Sequence, residues 1–347
     1  MKPTRTLPIA IYFFTLINSF LARWESNREQ EVLQNSGKRI IPGAEWKDTD
    51  GNLIQAHGAG IIKVKDTWYW FGEDKTKNNH AFLGISCYSS RDLASWKRHP
   101  NVLQVSEDDN SALNKNQVIE RPKVIYNAKT KKYVMYFHYD SSNYGLAQVG
   151  VATSTRVDRD WKFIKAFSPL NSQSRDMSLY QDDDPDKTAY ISFASDGNAN
   201  LKIAKLSEDY LDVVELVYKW DRVFWEATGI VKNNGIYTML YSKQDGWNPN
   251  PNSAMQAYNI SGPWQAPTLI APQNVKTYSS QNTYDFTVKG SEITSFIYAG
   301  DRWFPKSLGE STYIWLPLLI QGTKISLIWA DIWSINSKTG KKNNVKD

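Results

Sequence analysis

Short runs of alternating apolar and polar residues, each closed by a turn signal, fill the chain from about residue 56 to residue 333. In the first unit, residues 60–64 and 67–72 read as paired strands across Lys65-Asp66, with a third run at 83–90 and a closing segment at 92–98. The second unit repeats the plan at 122–127, 133–138, 148–154 and 160–163. Ile85-Ser86-Cys87-Tyr88-Ser89-Ser90 and Val149-Gly150-Val151-Ala152-Thr153-Ser154, each followed by a Trp, are an internal repeat. The third unit has runs at 177–180, 188–193 and 201–206. The fourth pairs 228–232 with 236–242 through Asn233-Asn234-Gly235, a strong hairpin signal. The fifth has runs at 284–288, 294–300, 313–318 and 325–329. No long amphipathic helix interrupts them. Units of about 50–60 residues with three or four short strands predict an all-β fold, a five-bladed β-propeller. Tight hairpins disfavour a parallel β-helix, and a β-sandwich does not account for the internal similarity.

Units two to five open with a polar residue at the head of the first strand: Glu120, Asp176, Glu226 and Gln281, spaced 50 to 56 residues apart. The first unit opens with Gln55-Ala56-His57-Gly58-Ala59-Gly60. The innermost strand of each propeller blade lines the central channel, so these heads converge at one end of the axis. Carboxylates gathered there repel, and one of them is driven to hold its proton. Glycoside hydrolysis uses such a set: an acid protonates the leaving oxygen while a group on the opposite face holds water. Each residue has a structural alternative. Glu226 could pair with Arg222 or Arg121, Asp176 with Arg175, and Glu120 with Arg121 or Lys123, while Gln281 could be an ordinary turn residue. His57 is a site residue or a satisfied channel histidine, and Asp301-Arg302-Trp303 brings Trp303 toward the sugar.

Composition narrows the classes. Hydrophobic residues make up 41% of the 347, enough for a large core, and aromatics 13%, which serve blade cores or sugar platforms. The formal charge of +5 is dispersed, with clusters such as Lys129-Thr130-Lys131-Lys132 at hairpin tips, so no nucleic-acid partner is expected. Asp182-Asp183-Asp184 lacks the Gly and distal Glu of a calcium loop and reads as a solvated tip. Without a Cys/His cluster, phosphate loop or nucleophile elbow, no metal or other cofactor is expected. Cys87 is the single cysteine, so no disulfide forms within the chain, and it reads as a buried thiol.

Residues 1–22 read as a secretory signal, with an uncleaved anchor as the alternative, and 23–40 as a polar spacer. Residues 41–335 form the propeller, and 336–347 a polar tail expected to fray. The sequon Asn259-Ile260-Ser261 is consistent with secretion. The expectation is an extracellular monomer acting on a poly- or oligosaccharide, with no membrane partner once the signal is removed.

Trp225-Glu226-Ala227, Ser174-Arg175-Asp176-Met177 and Glu120-Arg121-Pro122-Lys123-Val124 resemble glycoside hydrolase family 43, the five-bladed inverting glycosidases, over residues 41–333. The likeness is to the branch that includes galactan 1,3-β-galactosidases. The resemblance implies Glu226 as general acid, Asp176 as the group tuning its pKa, Glu120 as a sugar contact needed for activity, and Gln281 as the holder of water. It further implies contacts from Tyr144, Asn198, Arg121 and Glu73 to a terminal galactose. The wider family carries an Asp base at the head of the first blade; here that place reads His57-Gly58-Ala59-Gly60. Gln281 and Glu120 are the two candidates to stand in for it. The expected activity is exo-hydrolysis of β-1,3-galactan. The alternatives are a β-xylosidase or α-L-arabinofuranosidase of the same family, and a propeller that binds sugar without hydrolysing it.

Overall fold

A computed structural model describes residues 39–344. The expected signal at 1–22 and most of the spacer lie outside the described residues, as does the end of the tail. Five four-stranded antiparallel sheets follow one another along the chain. Blade one holds β1 (His57–Val64), β2 (Thr67–Glu73), β3 (Gly84–Ser90) and β4 (Lys97–Gln104). Blade two holds β5 (Gln117–Asn127), β6 (Lys132–Ser141), β7 (Gln148–Ser154) and β8 (Lys162–Phe167). Blade three holds β9 (Met177–Gln181), β10 (Ala189–Ser195), β11 (Asn200–Leu206) and β12 (Val213–Trp220). Blade four holds β13 (Trp225–Asn233), β14 (Ile236–Lys243), β15 (Ser253–Ala257) and β16 (Thr268–Leu269). Blade five holds β17 (Gln281–Lys289), β18 (Thr294–Arg302), β19 (Thr312–Gln321) and β20 (Lys324–Leu327). The first strand of each blade touches the first strand of the next, and β17 meets β1, so the five blades close a ring. The fold is the expected five-bladed β-propeller.

The apolar pattern left β15 and β16 unmarked, and the outer strands β4 and β12 show why such strands escape it. Lys97-Arg98-His99-Pro100 carries charge and a proline, and much of β12 faces solvent, so neither alternates cleanly. Pairing to the blade, not local pattern, makes them strands. The hairpin at Asn234-Gly235 has positive φ at both residues, 49° and 80°, as an Asn-Gly turn requires.

Apolar side chains fill the gaps between blades. Trp70, Trp96 and Tyr88 of blade one meet Trp315 and Phe286 of blade five in one buried cluster. Comparable clusters lie between blades one and two, two and three, three and four, and four and five. Most of the tryptophans thus serve the core rather than a sugar platform. Cys87 is buried in this core, as expected.

Two expectations are corrected. The tail does not fray within the described residues: β21 (Trp333–Ile335) pairs with β22 (Lys342–Asn344). Ile40 and Trp333 exchange backbone hydrogen bonds, and the turn between β21 and β22 docks on blade five, where Ser295 Oγ donates to the Gly340 carbonyl at 2.7 Å. Polar composition hid this because the pairing uses main-chain groups. Asp182 is not a solvated tip but 4% exposed, where it accepts from Lys232 Nζ at 2.8 Å and from the Tyr237 hydroxyl. Among the described residues no helix is long and apolar enough to cross a membrane.

Candidate active site

The strand heads are aimed by a repeated irregularity. The ladders of β1, β5 and β13 slip just after His57, Glu120 and Glu226. In each case the next residue, Gly58, Arg121 or Ala227, has a positive φ of 54–62°. A bulge of this kind bends the strand and redirects the side chain beside it. Glu120 and Glu226 therefore turn into the axial funnel, where β9 and β17 bring Asp176 and Gln281.

A cleft of about 250 Å³ opens there, lined by Glu73, Glu120, Arg121, Tyr144, Asp176, Asn198, Glu226 and Gln281 among others. Eight of the ten residues picked from the sequence thus line one cleft. Arg121 is the central tie. Its Nε lies 2.9 Å from Asp176 Oδ1, its Nη2 donates to Gln281 Oε1 at 2.8 Å, and its backbone N–H donates to Glu73 Oε1 at 2.9 Å. Asp176 is therefore paired across blades, not with its neighbour Arg175, whose guanidinium donates to the Tyr144 carbonyl at 3.1 Å.

Glu226 and Glu120 sit in opposite electrostatic settings. Glu226 is buried and faces Asp176, and these two effects push its pKa up to about 8 against the pull of Arg121 and Gln281. Gln281 Nε2 donates to its Oε1 at 3.0 Å, and Asn198 Nδ2 to its Oε2 at 3.3 Å. A carboxyl so placed keeps a proton at neutral pH. Burial also works to raise Glu120, but Lys75, His138 and Tyr144 outweigh it and hold the pKa at about 2. Lys75 Nζ is 3.6 Å from Glu120 and 2.8 Å from Glu73. His138 Nδ1 lies 3.2 Å from Glu120, its Nε2 lies 2.9 Å from Asp140, and the Tyr144 hydroxyl donates to Glu120 at 3.1 Å. The cations beside Glu120 are thus Lys75 and His138, not Arg121 or Lys123; burial works to lower the His138 pKa, but its two carboxylate partners raise it to about 9. Lys123 is fully buried and donates instead to the Gly58 and Arg121 carbonyls.

The head of blade one carries His57 where blades two and four carry Glu120 and Glu226, and the residue after it is crowded. A Cβ on Gly58 would lie 2.3 Å from Glu73 Oε1, at a φ of +62°. Glu73, from the adjacent strand, reaches into that place. Of the two readings of His57, the contact with the sugar is the one corrected: it is a satisfied channel histidine, fully buried, stacked on Tyr313 and 3.3 Å from Asp301. Asp301 also accepts the Gly58 N–H at 2.7 Å, so His57 and Asp301 brace the bulge. Trp303 is outside the residues lining the cleft; its Nε1 donates to Gln281 Oε1 at 2.9 Å and its ring meets Trp247 edge-on.

Sequence reasoning missed Lys75, His138 and Asp140; Lys75 and His138 reach Glu120 on β5, and Asp140 joins through His138 on its own strand, β6. It also missed the lining residues Arg175, Gln244, Gly246 and Trp247. The last three sit in Gln244-Asp245-Gly246-Trp247, a polar turn ending in an aromatic just after β14, which was a usable signal. Among the described residues no group of three or more His, Cys, Asp or Glu is placed to hold a metal.

Residues 55–295 match the family model described as glycosyl hydrolases family 43. An exo-β-1,3-galactanase from Phanerochaete chrysosporium, solved with β-1,3-galactotriose, is 45% identical with a TM-score of 0.85, covering 89% of this chain and 71% of that one. An exo-β-1,3-galactanase from Clostridium thermocellum is 34% identical with a TM-score of 0.83, covering 88% of this chain and 68% of that one. A β-D-galactofuranosidase from Aspergillus niger is 25% identical over 277 residues, 74% of each chain.

Proposed function

From the premise that the chain belongs to glycosyl hydrolase family 43, we propose that it is a secreted, inverting exo-glycosidase that removes galactose from β-1,3-galactan. Glycoside hydrolase chemistry follows from the family, and the likeness to exo-β-1,3-galactanases supports the substrate. The observation that carries the mechanism is Glu226, a buried carboxyl with its pKa at about 8, in one cleft with Asp176 and Glu120.

Glu226 donates its proton to the glycosidic oxygen as the bond to the anomeric carbon breaks. Asp176 keeps that proton in place through its charge and is itself held by Arg121. Glu120, ionised and clamped by Lys75, His138 and Tyr144, accepts sugar hydroxyls. A carboxylate with a pKa of about 2 is a weak base, which favours Gln281 for the water side. Gln281 Oε1 takes N–H groups from Arg121 and Trp303, and Nε2 points to Glu226 and Ser242, so the carboxamide orientation is set. All four hydrogen-bonding positions of the amide are then taken, so a water is held through Nε2 once its bond to Glu226 gives way to the sugar. Glu73, Arg121, Tyr144 and Asn198 surround a single terminal sugar in the small cleft.

The test is incubation with β-1,3-galactan and, separately, with aryl β-xyloside, β-D-galactofuranoside and α-L-arabinofuranoside, followed by NMR. Galactose released first as the α-anomer is the expected result. Release of pentose or galactofuranose alone overturns the specificity, the β-anomer overturns inversion, and tight binding without turnover leaves a lectin. Release of protein from cells directed by residues 1–22 tests secretion.

A further inference from the structure

Gln281 is delivered to the cleft by strained backbone. Lys276, Thr277, Tyr278 and Ser279 all have φ between 46° and 57°, the left-handed region, and form the turn Lys276–Ser279 just ahead of the strand head. Four consecutive non-glycine residues hold this conformation only where surrounding groups over-determine it. The groups that do so converge on Asn252, which is fully buried. Its backbone N–H donates to Thr277 Oγ1 at 2.7 Å. Its Oδ1 accepts from the Asn282 backbone N–H at 2.9 Å and from the Tyr298 hydroxyl at 3.3 Å. Its Nδ2 donates to the Asn250 carbonyl at 2.9 Å. Ser280 Oγ donates to the Thr277 carbonyl at 2.6 Å and lies 2.9 Å from the Tyr298 hydroxyl. The backbone on both sides of Gln281 is therefore tied to one residue that is not among those lining the cleft.

Asn252 also ends the segment that carries Gln244, Gly246 and Trp247. Asn250 closes the neck of that segment by bonding the Lys243 N–H and carbonyl at 3.0 and 2.7 Å. Trp247 in turn packs on Trp303, which donates to Gln281.

We propose that Asn252 is a positioning residue for Gln281. It holds the left-handed turn and Asn282 in register with the Trp247 segment, so that the carboxamide faces the reacting centre. The inference rests on the reading of Gln281 as the group that holds the water.

The test is a double-mutant cycle in kcat on β-1,3-galactotriose with Asn252→Asp and Gln281→Ala. Asn252→Asp keeps the size and Oδ1 but loses the donor to Asn250. Thr277→Val, nearly the same shape, removes the acceptor of the Asn252 N–H and so reads the tie to the left-handed turn, also where Asn252→Asp does not fold. Each is expected to lower kcat roughly ten- to hundredfold with KM within about twofold, the signature of misplacement rather than lost binding. Neither lowers kcat further once Gln281 is alanine. An equal loss in both backgrounds overturns the proposal, because a merely structural residue acts without regard to Gln281. Wild-type kcat in folded Asn252→Asp and Thr277→Val, beside a strongly lowered but measurable kcat in Gln281→Ala, also overturns it while leaving the role of Gln281 standing. Full activity in Gln281→Ala removes that role and this inference together.

Discussion

Gln281 Nε2 and Glu226 Oε1 are joined by a 3.0 Å hydrogen bond across the cleft. Inverting hydrolysis places its two working groups roughly 6.5–9.5 Å apart, with the anomeric carbon and a water between them. With Gln281 and Glu226 in their proposed roles, a seated sugar breaks this bond. The bond also pulls the Glu226 pKa down, so losing it strengthens the hold on the proton. The alkaline limb of kcat, which reports the bound enzyme, is expected above that of kcat/KM, which reports the free enzyme near pH 8. Coincident limbs in pH-rate profiles would contradict the separation.

Glu226→Gln should reduce turnover of galactan by about 10²–10⁴-fold and spare substrates with activated leaving groups. Its effect on stability has a definite sign. The folded pKa near 8 lies above the ordinary carboxyl value of 4.5, so folding is weakened as pH rises from 4.5 through 8. Urea unfolding of Glu226→Gln should lose that slope. Asp176→Asn removes a charge that raises the Glu226 pKa and frees Arg121 to lower it, so the alkaline limb of kcat/KM should move to lower pH.

Lys75→Met tests the clamp on Glu120. Lys75 is 2% exposed and its ammonium group faces both Glu73 and Glu120. Removing one partner of a buried ion pair costs about 3–5 kcal/mol, measurable by urea unfolding at neutral pH. Glu120 contributes stability above its ordinary pKa that is lost as pH falls toward 2, and without Lys75 that contribution should shrink. An unchanged unfolding midpoint would show that Lys75 is not holding the two carboxylates.

Trp303→Phe removes one of the two donors to Gln281 Oε1 while keeping a ring against Trp247 and His57. The loss of one hydrogen bond predicts a kcat roughly three- to tenfold lower, with the inhibition constant of galactose nearly unchanged. If galactose binding weakened by the same factor, Trp303 would be a sugar contact after all.

Much of this protein was legible in its residues. The repeat of strands and turns determined five blades, because tight antiparallel hairpins are local and blade cores repeat their apolar pattern. Ring closure then requires equivalent strand heads to meet, so Glu120, Asp176, Glu226 and Gln281 could be found without coordinates. Partners were another matter. Arg121 meets Gln281, 160 residues away, and whether it pairs with Glu120, Asp176 or Glu226 depends on blade spacing and on bulges that no local pattern reports. The same limit hid Lys75, which looks like a surface lysine until two carboxylates close around it.

The sequence by itself determined which polar residues converge, since that follows from period and ring closure. Only the tertiary structure decided which carboxyl keeps its proton. Burial and the distances to Asp176, Arg121 and Lys75 set that balance, and they exist only once the blades have packed. It also decided what blade one brings to the cleft: Glu73, from the neighbouring strand, lies beside Gly58 and lines the cleft, while His57 is buried behind it.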